Sequence, residues 1–139
     1  GQDSEDQNYG AQLEHGSGVD RPCGAKIMTE ISFGDFMKVD IRAGVIERVE
    51  PFPKARKPAW KLWVDFGPEI GVKKSSAQIT VNYKEEDLIG RQVIAVVNFP
   101  PRQIADFMSE VLVLGLPDEN GEVVLLGPSM NVPLGGRMY

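Results

Sequence analysis

The chain has 139 residues, 42% of them hydrophobic and 25% charged, with a formal net charge of −5 and one cysteine. That length suits one domain that buries its own core, and a single cysteine excludes an internal disulfide. The longest unbroken apolar run in the body, Val93 to Val97, falls far short of the roughly 20 residues a membrane-spanning helix needs, so no membrane insertion is expected.

Residues 1–27 differ from the rest. Gly1 to Gly24 is rich in Gly, Gln, Asp, Glu and Ser and shows no apolar periodicity. Ordering such a segment costs backbone entropy with little burial in return. It reads as a flexible extension or an artificial leader, with a folded domain over 28–139. His15 and Cys23, the only residues of their kinds, both fall in 1–27. The body therefore offers no imidazole base, thiol nucleophile or His/Cys zinc site. The polar, acidic start carries no signal-peptide pattern, which makes a soluble cytoplasmic protein the default expectation.

Ser32 is placed to cap a short helix over Phe33 to Met37, with Asp35 near its positive end. Alternation then puts Val39, Ile41, Ala43 and Val45 on one side and Asp40, Arg42, Gly44 and Ile46 on the other, with Gly44 suggesting a bend or bulge. Pro51 to Pro58 cannot be a central strand and reads as a basic loop. Trp60, Leu62, Val64 and Phe66 alternate with Lys61, Trp63 and Asp65 as a strand, and a third strand spans about Val72 to Thr80. Lys84 to Leu88 suits a short helix closed by Gly90. Arg91 to Phe99 is apolar on both faces, as a buried central strand is, and Pro100-Pro101 stops it. Val111 to Leu116 and Val123 to Leu126 form a hairpin around Pro117 to Gly121. Many short strands with a helix inserted after the third point to an all-β, five-stranded barrel of the oligonucleotide-binding (OB) type, with a short N-terminal helix and a C-terminal hairpin extension.

Charge is uneven within the body. Residues 38–74 hold nine basic against five acidic residues, and 75–139 hold four against eight. An acidic chain is a poor general coat for DNA, but a local basic face stays open. Lys54, Arg56, Lys57 and Lys61 lie among Phe52, Trp60 and Trp63. Such a segment either contacts phosphates while its rings stack on bases, or is a solvated loop with Trp60 in the core. If Trp60 is core, alternation turns Trp63 outward. Lys73, Lys74, Ser76 and Gln78 either hold phosphate and ribose oxygens or protect an edge strand. Asn98 and Arg102 either read a base edge and clamp a phosphate or serve a structural turn, and Ser109-Glu110 opens the next strand. No phosphate loop, nucleophile elbow or metal motif occurs, so no cofactor is expected and catalysis is the poorest fit.

Five segments carry a resemblance to a known family: Asp35 to Arg42 (DFMKVDIR), Phe52 to Pro58 (FPKARKP), Lys73 to Thr80 (KKSSAQIT), Val97 to Ile104 (VNFPPRQI) and Met108 to Gly115 (MSEVLVLG). The body resembles the tRNA-binding domains that occur alone or appended to aminoacyl-tRNA synthetases, and within them the stand-alone CsaA type. The resemblance implies an OB fold, tRNA binding, and a homodimer built from the N-terminal helical turn and the C-terminal strands. It also implies a chaperone-like role toward unfolded or precursor polypeptides in protein export. The family's polar loop falls on Asn98, Arg102, Ser109 and Glu110, and its lysine before an aromatic strand on Lys61. In synthetase-appended domains the serine segment reads Ser-Glu-Gly-Met, whereas here it is Ser109 to Leu112 (SEVL). A peptide-binding chaperone is the alternative reading. It expects an exposed apolar groove at Phe52, Trp63, Phe107 and Met108.

Overall fold

The structure is a computed structural model that describes residues 29–139; the leader expected over 1–27 lies outside the described residues. Strand β1 (Ile41–Pro51) serves two neighbours, because it is long and changes register part-way. Its first half pairs antiparallel with β4 (Gln92–Val96), and its second half with β2 (Trp60–Asp65). The pairing with β2 slips between Ile46 and Arg48. One extra residue there lets Ile46 and Val49, three apart, both face the core. The bulge therefore sits at Glu47 and not at Gly44. Gly44 meets a different demand: a Cβ there would stand 2.7 Å from Val64 and 2.8 Å from Phe66.

Beyond β2, strand β3 (Val72–Ala77) completes one edge and β7 (Leu112–Val113) the other, giving the order β3-β2-β1-β4-β7. The third strand is shorter than the expected Val72 to Thr80. The two edges approach each other at a seam. Glu110 and Val111 N–H groups donate to the Lys74 carbonyl at 2.7 and 3.3 Å, and Ser75 Oγ donates to the Val111 carbonyl at 3.0 Å. Five strands thus make a nearly closed antiparallel barrel, the OB-like fold expected. Helix α1 (Phe33–Met37) has the Ser32 cap, with a reciprocal Asp35 bond. Helix α2 (Glu85–Leu88) enters between β3 and β4. Its Leu88 is fully buried among Ile46, Leu62, Phe66 and Val93, and Gly90 at φ +85° donates to the Ile46 carbonyl at 2.7 Å.

Two hairpins lie outside the barrel sheet. The first joins β5 (Arg102–Ile104) to β6 (Phe107–Ser109) through Ala105 and Asp106. By sequence the central strand stops at Pro100-Pro101 and the next opens at Ser109-Glu110; the hairpin corrects this, since Ser109 ends β6 instead of opening a strand. Its turn lacks an Asn-Gly or Asp-Gly pair, and Ala105 itself takes φ 54°. The second joins β8 (Gly115–Pro117) to β9 (Val123–Leu125). The expected strand Val111 to Leu116 is divided, its first half closing the barrel and its second entering this hairpin. The C-terminal tail then returns along the side of β1 that β2 leaves unoccupied: Gly135 and Met138 N–H groups donate to Ala43 and Ile41 at 2.8 and 2.7 Å.

Candidate nucleic-acid interface

Alternation in β2 sends Leu62 and Val64 inward, both fully buried, and Lys61 and Trp63 outward. The register sets Trp63 between Arg48 of β1 and Lys74 of β3, and Lys61 between Glu50 and Ser76. An indole on the outside of a barrel is costly to leave wet, and here it is covered. Loop 52–59 and the β5–β6 hairpin fold over it, and Phe52, Ala59, Ile104 and Phe107 bury themselves as a second small core against Trp63 and Ala55. The Phe107 ring meets Phe52 edge-on at 5.4 Å and Trp63 at 5.8 Å.

Cations roof this aromatic cluster. The Arg48 guanidinium lies 4.5 Å from the Trp63 ring centre. Lys61 Nζ lies 5.0 Å from Phe52 and 5.3 Å from Phe107, and Lys74 Nζ 5.3 Å from Phe107. Each ring attracts a cation while the charged head stays toward water. Lys54, Arg56 and Lys57 stand exposed on the adjoining loop, which is fixed by the Phe52 N–H to Ala59 carbonyl bond of 3.2 Å. Lys54 pairs with Asp106 at 3.1 Å. That hydrogen bond, with the charges of Lys54 and Lys61 behind it, holds the Asp106 carboxyl below its ordinary range. Arg48 also pairs with Glu50.

The expected site residues divide into groups. Lys54, Arg56, Lys57, Lys61, Lys74 and Ser76 flank the aromatic cluster. Lys73 sits one register position from Lys74, opposite Val64 and on the other face of β3. Gln78 lies past the end of β3. Ser76, Arg102, Ser109 and Glu110 come together around a shallow depression at the barrel seam that also includes Phe99 and Pro100. There Ser109 Oγ accepts the Ser76 N–H at 3.2 Å, and a Glu110 carboxylate oxygen accepts the Lys74 N–H at 2.9 Å. Asn98 ties the first turn to the barrel, donating to the Lys38 carbonyl at 2.8 Å and accepting the Asp40 N–H at 3.0 Å. Of the four residues expected in an apolar groove, Phe52 and Phe107 are buried in the small core, Trp63 is half-covered, and Met108 is exposed on the other face of β6.

Arg48 and Asp106 belong to this face and are not legible in the sequence, since one depends on the β1 bulge and the other on the β5–β6 turn. Among the described residues no group of His, Cys, Asp and Glu is placed to hold a metal ion, and no helix is long and apolar enough to cross a membrane.

The sequence profile described as a putative tRNA binding domain matches residues 41–137, the whole barrel with its tail. The chain belongs to the tRNA-binding domain family. Solved relatives in this family include the chaperone CsaA of Bacillus anthracis, 52% identical, covering 80% of this chain and all of that one at a TM-score of 0.75. The CsaA chaperone of Picrophilus torridus is 54% identical, covering 79% of this chain and all of that one at a TM-score of 0.74. The methionine–tRNA ligase of Porphyromonas gingivalis is 33% identical over 114 residues, which is 82% of this chain and 16% of that enzyme. The chain thus spans about a sixth of the length of that curated relative.

Proposed function

We propose that the chain is a non-catalytic, CsaA-like protein that binds tRNA on the cation-roofed aromatic face. The observation that carries the reading is the placement of Arg48, Lys61 and Lys74 over Trp63, Phe52 and Phe107 beside the loop cations. Cations held at fixed spacing over rigid, largely buried rings meet a phosphate backbone at little entropic cost. The seam depression with Arg102 extends the same surface toward the β5–β6 hairpin.

Titration against unfractionated tRNA over a KCl series tests this. Replacing Arg56 and Lys57 by alanine lowers the log–log salt slope by about one unit for each phosphate that is no longer neutralised. An unchanged slope removes those two residues from the site.

A polypeptide-binding role, including assistance to export, is a second proposal. It is supported by chaperone relatives that are more than 50% identical over about four-fifths of the chain. Self-association as a homodimer belongs with it. Phe33, Leu116, Val124 and Met130 are exposed apolar side chains on α1, the β8–β9 hairpin and the tail, and α1 adjoins the tail through the Arg137 to Met37 carbonyl bond of 2.6 Å. A dimer would cover such surface. Light scattering that returns a monomer mass at micromolar concentration overturns that part.

A further inference from the structure

The β5–β6 turn is built to hold a carboxylate in one place. It has two residues, Ala105 and Asp106, and the residues on either side, Ile104 and Phe107, are both buried in the small core. That burial forbids slippage of the hairpin register. Ala105 adopts φ 54°, a left-handed conformation that carries a steric cost for any residue with a Cβ. Such conformations persist where the surroundings over-determine them, and they cluster at functional sites. Gln103 Nε2 adds a bond of 3.1 Å to the Ala105 carbonyl. The outcome of this scaffolding is that Asp106 stands 3.1 Å from Lys54 on the basic loop.

We propose that Asp106 is an internal competitor of phosphate, occupying Lys54 until a polyanion of sufficient charge density displaces it. This rests on the tRNA reading above and adds a specificity-determining residue to it. The Lys54 and Asp106 side chains are 69% and 51% exposed, so an incoming phosphate oxygen reaches the ammonium without movement of the chain. Asp106 stays ionised at neutral pH, since Lys54 and Lys61 favour its charged form. A weakly charged anion gains too little from Lys54 alone to offset the broken pair. A backbone of successive phosphates, also engaging Arg56, Lys57 and Lys61, gains enough. The salt response carries the signature. In the resting protein Lys54 is neutralised by a tethered carboxylate and not by solution anions, so its docking releases fewer ions than a free lysine would.

The test uses the full chain and unfractionated tRNA, followed by fluorescence anisotropy over a KCl series. Asp106→Asn and Asp106→Ser are compared with wild type and with Glu119→Gln, which removes the same charge from the tip of the β8–β9 hairpin. Thermal melts establish that each variant folds. Both Asp106 variants are expected to bind about 2- to 5-fold tighter at low salt, the scale of an exposed ion pair, with a log–log slope steeper by about 0.7–0.9. Glu119→Gln is expected to stay at wild-type affinity and slope. Wild-type binding with Asp106 variants no tighter than Glu119→Gln overturns this inference alone. Absence of tRNA binding by the wild-type chain overturns the tRNA reading and this inference with it.

Discussion

Glu110 grips Lys74 twice, its own N–H donating to the Lys74 carbonyl at 2.7 Å and its carboxylate accepting the Lys74 N–H at 2.9 Å. The pair spans the seam where the first and last strands of the sheet meet. A side chain therefore supplies the acceptor that a fully paired strand would supply from its backbone. Glu110→Ala leaves the half-buried Lys74 N–H without that acceptor, at a cost of about 1–2 kcal/mol, which lowers the melting temperature by about 4 °C per kcal/mol in a domain of this size. Glu110→Gln keeps a carbonyl acceptor and is expected to hold most of that stability. Urea melts of the two variants check this, and equal losses in both would show that the charge, not the bond, closes the seam.

A second prediction concerns acid. Asp40 accepts from Arg42 Nε at 2.6 Å and faces Arg137 at 3.6 Å. The Arg42 hydrogen bond, against a smaller opposing cost of burial, lowers the Asp40 pKa. A carboxyl with a lower pKa folded than unfolded stabilises the fold above its unfolded pKa, about 4, and that stability is lost as pH falls through the folded value. Asp35, Asp106 and Asp118 are shifted the same way and act in the same range. Asp40→Asn is therefore expected to flatten, but not abolish, the fall in urea midpoint between about pH 5 and pH 2. The same variant is expected to speed amide exchange at Met138, whose N–H is tied to Ile41 beside this ion pair. An acid limb as steep as in wild type would show that Asp40 has no part in the acid response.

How much of this could be read in advance follows from range. Alternation over six or more residues is visible in a sequence, so Leu62, Val64 and Phe66 are legible as core and Trp63 as outward. Ser32 and Asp35 are legible because a cap and its reciprocal partner lie three residues apart. The bulge at Glu47 is not, since Ile46 and Val49 look out of phase until β2 supplies the register. The hairpin at Ala105 and Asp106 is hidden for another reason. Its strands have three residues each, and a left-handed alanine carries no turn signal. Lys73 and Lys74 look equivalent in sequence and separate only when Ser75, in phase with Lys73, is seen buried against the seam. The small core that anchors the basic loop draws on three distant segments, and only folding brings Phe52, Trp63 and Phe107 into contact.

Arg48 is the residue on which the proposed interface is most open to test. It stacks 4.5 Å from the Trp63 ring and pairs with Glu50, and it lies outside the basic loop. If the aromatic face takes up phosphate, Arg48→Gln lowers the log–log salt slope of tRNA binding by about 0.7–0.9, the share of one phosphate. Removing an exposed cation–ring interaction adds about 0.5–1 kcal/mol of destabilisation. Arg48→Lys separates the two effects. It retains the charge and so the slope, but gives up the guanidinium that lies over Trp63 and so part of the stability. Should Arg48→Gln keep the wild-type slope while the Arg56 and Lys57 replacements lower it, the contact region contracts to the loop, and the cations over the rings are left with the purely structural task of shielding Trp63 from water.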